Sequence, residues 1–167
     1  MSRAFRAAAQ ALVLGGVAAL IGTFSDWPKV VHFPAGQALV KLSFTHAADP
    51  RGGCRRLTPE EIARLPANMR KLEQCPRERL PVDVELVIDD RIAFRASLPP
   101  SGLAGDGPSR AYRRIPMPAG PHRLAVRLRD TARATGYDYE RSASIVLRPG
   151  QNFVIDFRAE TGGFYFR

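Results

Sequence analysis

The chain reads as an all-β protein, an antiparallel sandwich of seven or eight strands, with one apolar helix before it and one short helical insertion inside it. Three observations predict this class. Apolar and polar residues alternate with period two in several stretches beyond residue 30, the signature of strands with one buried face. Clusters of Pro, Gly, Asp and Ser separate those stretches at hairpin-like spacing. Residues 7–24, AAAQALVLGGVAALIGTF, carry no charge at all.

The apolar segment comes first. Arg3 and Arg6 precede it, and Ser25-Asp26-Trp27-Pro28 ends it. Its 18 residues make a helix of about 27 Å, enough for a thin bilayer core. A cleaved secretory signal and a retained signal anchor are the two readings. Cleavage needs small residues at −3 and −1. Gly16-Val17-Ala18 offers them only inside the apolar run, and Gly22-Thr23-Phe24 ends in a bulky residue, so the uncleaved anchor is favoured. No polar face recurs at helical spacing, which argues against a buried soluble helix. Residues 1–27 are therefore expected to form a single-pass inner-membrane anchor. With the arginines in the cytoplasm, residues 28–167 lie in the periplasm, and Trp27 suits the membrane interface.

The strands follow in order. Val40, Leu42 and Phe44 alternate with Lys41, Ser43 and Thr45. Val82, Val84, Leu86 and Ile88 alternate with Asp83, Glu85 and Asp89. Asp89-Asp90 is a tight turn into 91–98, where Ile92, Phe94 and Ala96 are expected on one face. Residues 99–109 form a long loop by composition, ahead of a short strand over 110–115 and a turn built from Pro116, Pro118, Gly120 and Pro121. Leu124, Val126 and Leu128 alternate with Arg123, Arg127 and Arg129. After a loop over 131–136 come a strand at 137–147, an Arg148-Pro149-Gly150-Gln151 turn, and a strand at 152–158 with Phe153, Ile155 and Phe157 inward. The tail, 162–167, adds an edge strand or an arm. Seven or eight strands so spaced point to an immunoglobulin-like sandwich. The run Pro118-Ala119-Gly120-Pro121-His122-Arg123-Leu124-Ala125-Val126 and the later Leu147-Arg148-Pro149-Gly150-Gln151-Asn152-Phe153 resemble extracytoplasmic Ig-like or PEGA-like accessory domains. The resemblance spans about forty residues of turn chemistry and implies a fold rather than an activity.

Between the first two strands, the insertion 49–81 holds both cysteines, Cys54 and Cys75. Thr58-Pro59-Glu60-Glu61 is a helix start, with Thr58 as cap, Pro59 at the first helical position and Glu61 able to bond back. Pro66 stops or restarts that helix, and residues 67–74 suit a further turn or two. Outside the cytoplasm, two cysteines predict one disulfide. A redox role lacks a Cys-x-x-Cys pair, and haem attachment lacks its Cys-x-x-Cys-His.

Chemistry finds little purchase. His32, His46 and His122 fall in different segments, and a copper site from His46, Met69 and a cysteine lacks ligand spacing. No Gly-x-Ser-x-Gly elbow supports a hydrolytic triad. Gly102, Gly105 and Gly107 lack the lysine and the following helix that phosphate binding requires. No catalytic residue, metal or other cofactor is expected. Basic residues outnumber acidic ones 25 to 16, for a net charge of +9, which favours anionic neighbours. The scattered arginines match no nucleic-acid-binding motif, so nucleic acid is not an expected partner. Two interaction surfaces stand out. One is the long loop with Asp106 and the neighbouring Arg110, Tyr112, Arg113 and Arg114; the other is the Arg51, Arg55 and Arg56 cluster in the insertion. These features predict a non-enzymatic, membrane-anchored binding or assembly protein, an accessory component of an inner-membrane complex. Alternatives are a domain binding acidic polysaccharide or anionic lipid, and a redox or copper-handling factor.

Overall fold

The computed structural model describes residues 2–27 and 34–167. Helix α1 (Arg3–Asp26) is capped by the Ser2 hydroxyl, which accepts from the Phe5 N–H at 3.3 Å. It is long and apolar enough to cross a membrane, and Leu12, Leu14 and Ile21 are exposed along it. Residues Ala35–Arg167 form a compact unit of their own. His32, expected just before the first strand, lies outside the described residues.

That unit comprises β1 (Gln37–His46), β2 (Arg55–Arg56), α2 (Pro59–Arg64), β3 (Glu73–Gln74), β4 (Val82–Ile88), β5 (Arg91–Leu98), β6 (Ser109–Pro118), β7 (Gly120–Arg129), β8 (Tyr139–Leu147), β9 (Asn152–Arg158) and β10 (Gly163–Phe166). Eight of these strands make two four-stranded sheets, a first in the order β10-β9-β1-β6 and a second in the order β5-β4-β7-β8. Their inner faces share one core: Val40, Leu42, Phe44, Ile155 and Phe157 from the first sheet meet Val84, Leu86, Val126 and Leu128 from the second. The alternation seen in the sequence is therefore the burial pattern of a two-layer, sandwich-like fold.

Several expectations are corrected in detail. The sandwich is not antiparallel throughout, because β1 pairs in parallel with β9, Leu39 to Leu42 against Asn152 to Ile155. The 148–151 turn delivers β9 to the end where β1 begins: Gly150 N–H donates to the Gln37 carbonyl at 2.7 Å, and Leu39 N–H to that of Gln151 at 2.8 Å. The expected turn of Pro116, Pro118, Gly120 and Pro121 is instead strand on both sides of Ala119. Pro116 and Pro118 are tolerated because β6 is an edge strand that does not need every N–H, and Pro121 precedes Leu124, where pairing with β4 begins. The strand expected over 110–115 extends to ten residues. Ile92 does not join Phe94 and Ala96. A bulge leaves Ala93 between the partnered Ile92 and Phe94, which turns Ile92 outward opposite Val87, where it is exposed. Asp89 and Asp90 do form the tight turn, both in the left-handed region at φ 49° and 64°.

Candidate interaction surface

The insertion is built from local chemistry rather than from a core. Thr58 and Glu61 form a complete capping box, Thr58 N–H donating to the Glu61 carboxylate at 2.9 Å and Glu61 N–H to the Thr58 hydroxyl at 3.3 Å. Neither α2 nor the 3-10 turn Ala67–Met69 buries a residue. The Cys54–Cys75 disulfide closes the insertion beside the two-residue ribbon of β2 and β3. That ribbon had no signal in the sequence, since its residues show no apolar alternation. Both cysteines are exposed and bridged to each other.

Predicted as one basic cluster, Arg51, Arg55 and Arg56 behave differently from one another. Arg51 pairs with Glu78 at 3.0 Å, and Arg55 holds Glu61 and Gln74. Arg56 is exposed on β2. Asp106 on the long loop is taken up by Arg77 at 2.6 Å. The two regions singled out separately in the sequence thus meet at one end of the domain, and Arg79 joins them. Its backbone N–H donates to the Gly105 carbonyl at 2.9 Å, and its guanidinium donates to the carbonyls of Asp106 at 3.1 Å and Ala48 at 2.8 Å. The loop is held tight within itself. A Cβ on Gly107 would lie 2.8 Å from the Ser101 carbonyl oxygen, so only glycine fits there. At its tip Leu103 is fully exposed, as are Met69 and Leu72 in large part on the insertion. A groove of about 540 Å³ runs along Leu57, Leu65 and Met69. Arg77 and Arg79 were missed from the sequence because nothing in their spacing shows which carbonyls they reach.

Arg110, Tyr112, Arg113 and Arg114 lie on strand β6 rather than in the loop. Arg110, Tyr112 and Arg114 are exposed on the outer face, opposite Thr45, Ser43 and Lys41 of β1. Arg113 has the inward parity of Ala111 and Ile115, and its guanidinium covers Phe94 of β5 at 4.8 Å, closing the gap between the sheets.

The two outer faces handle charge in opposite ways. On the second sheet, register sets opposite charges side by side. Glu85, with a side chain only 4% exposed, faces Arg95 on one neighbour and Arg127 on the other and is bonded to both. Arg127 also reaches Glu140 at 3.7 Å, and Asp83 pairs with Arg129. On the first sheet the outward positions carry Lys41, Arg110, Arg114, Arg158 and Arg167 against a single carboxylate, Asp156. Asp156 is bonded to Tyr165 and Arg167, while Arg158 and Arg167 both approach the Tyr165 ring. Among the described residues no carboxylate pairs with Lys41, Arg110 or Arg114.

The remaining titratable groups act as struts. His46 Nε2 meets Asp130 at 2.6 Å, between the rings of Phe157 and Tyr139. Burial pushes the Asp130 carboxyl up despite that histidine. Neighbouring Asp138 is held down, its burial outweighed by N–H bonds from Asp130, the Thr131 hydroxyl and nearby Arg133. At the β4–β5 hairpin, His122 Nδ1 meets Asp89 at 2.6 Å and Nε2 meets the Pro118 carbonyl at 2.9 Å. With acceptors on both ring nitrogens, the imidazolium is favoured and its pKa is raised, chiefly by Asp89. Compared with known proteins, the chain matches no protein-family model and no curated protein.

Proposed function

We propose that the protein is a non-enzymatic, membrane-anchored binding or assembly domain, exposed on the periplasmic side as an accessory part of an inner-membrane complex. The observation that carries this reading is the joined end of the domain, where Arg79 and the Arg77–Asp106 pair fasten the insertion to the 99–108 loop. Such a clasp presents a fixed surface at the opposite end of β1 from the incoming chain, a ten-residue strand away, or about 33 Å. Exposed Leu103, Met69 and Leu72, set among arginines, have the composition of a protein-docking surface. The helix α1 supports the anchoring, and the two turns that resemble accessory domains support the class. Both turns bond to the start of β1, at Gly36 and Gln37, so they fix where the tether joins the domain.

Gentle detergent solubilisation of membranes and affinity recovery of the full chain tests this. A stoichiometric partner is expected, and Leu103→Asp is expected to lower its recovery about tenfold, the effect of losing a buried apolar anchor worth 1–2 kcal/mol. Recovery of the protein alone across several detergents would sink the proposal.

A further inference from the structure

The unequal treatment of charge on the two outer faces carries a second, separate assignment. An outer sheet face needs polar or charged groups for solubility, and the second sheet meets that need with paired charges that cancel. The first sheet sets Lys41 directly opposite Arg114 and puts Arg110 four residues along β6, none of the three paired with a carboxylate among the described residues, and places Tyr112, 62% exposed, between the two arginines. Like charges held close together on neighbouring strands repel one another, and that repulsion is relieved when an anionic surface covers them.

The geometry points to anionic phospholipid head groups as that surface. The face is pleated sheet, whereas grooves lie along Leu57 and Met69 in the insertion and beside Asp83 and Arg129 on the second sheet. A cationic array on a pleated sheet face matches a plane of head groups better than it matches a protruding acidic side chain. Tyrosine, apolar in its ring and polar at its tip, suits the head-group layer. The tether adds a constraint: residues 27–34 lie between the end of α1 and this unit and span at most about 29 Å of chain. β1, the strand that receives the tether, belongs to this same face. We infer that the outer face of the first sheet, through Lys41, Arg110, Tyr112 and Arg114, lies against anionic lipid of the membrane that α1 enters. This assignment rests on the reading of α1 as an anchor but not on the joined end of the domain.

Purified full-length protein in lipid nanodiscs tests it, with no other protein present. Discs contain either phosphatidylcholine alone or phosphatidylcholine with phosphatidylglycerol. Hydroxyl-radical footprinting then reads Tyr112, with Tyr137 in the loop before β8 as internal reference. Tyr112 is expected to be oxidised several-fold more slowly in the anionic discs, and raised salt is expected to remove the difference. The Arg110→Gln/Arg114→Gln double variant is expected to lower the docked-to-free ratio about 30-fold, from roughly 1 kcal/mol per basic residue near an anionic surface. A thermal melt equal to wild type shows that this variant is folded. Equal oxidation of Tyr112 in both discs overturns the inference, as does protection that ignores salt. Failure of the chain to incorporate into either disc overturns the anchor itself, which a co-purification result cannot be confused with.

Discussion

Glu85 shows how much one side chain can organise when register places it well. It is buried beneath two arginines that are themselves half in water, so the pairs are screened and their worth lies mainly in satisfying the buried carboxylate. Replacing Glu85 with Ala leaves Arg95 and Arg127 facing each other across β4, with an expected loss of about 2 kcal/mol. A urea midpoint unchanged from wild type would show that the two arginines are solvated equally well without it. His122 sets a pH dependence of known sign. Its folded pKa is raised, so its contribution is complete below about 6.5 and is lost as pH climbs through the folded value. Asp89 is depressed by the same contact, so its share is present above about 4 and lost on acidification. Melting temperature is therefore expected to fall from pH 6 to pH 8 in wild type, and the His122→Asn variant is expected to flatten that fall. A variant that keeps the full slope would place the titration elsewhere. At this scale the inward residues were legible in the sequence, since alternation alone marks Val84, Leu86 and Val126. The pairing of Glu85 was not, because it depends on which strands become neighbours.

Among the elements, the insertion is the one held by covalent and capping chemistry instead of packing. The Thr58 cap and the cysteine pair were readable because both are local patterns. The ribbon of β2 and β3 and the clasp through Arg79 were not, being contacts between segments that look unremarkable alone. The bulge at Ala93 was hidden for a related reason: an extra residue in a strand changes parity without changing composition, so Ile92 reads as core and faces water. The cysteines are 21 positions apart, and on the chain-entropy account their bridge contributes about 3 kcal/mol to closure of the insertion. Because α2 and the 3-10 turn bury nothing, the loss in a Cys54→Ala/Cys75→Ala variant is expected to appear as local opening. Trypsin is expected to cut faster at Arg64, Arg70 and Lys71, while the two sheets stay associated in the nicked product. An unchanged cutting rate would show that the contacts of Arg79 suffice to hold the insertion.

For the molecule as a whole, the net charge of +9 says only that anionic neighbours are favoured. Topology decides where that charge lies: among the described residues, cations without a carboxylate partner fall on the outer face of the first sheet and on the insertion, where Arg56, Arg64, Arg70 and Lys71 stand. The two-layer class was visible from strand count and spacing, whereas the parallel pairing of β1 was not, since short hairpin turns suggest antiparallel neighbours throughout. That pairing also bears on how the protein is made. β1 is the first strand to emerge after the helix, yet one of its neighbours in the sheet, β9, is separated from it by more than 100 positions. Until the end of the chain arrives, Val40, Leu42 and Phe44 have no complete sheet to join, and contacts so distant in sequence form slowly. β1 is thus the earliest strand synthesised and among the last satisfied, an interval of exposed apolar edge in which aggregation competes with folding.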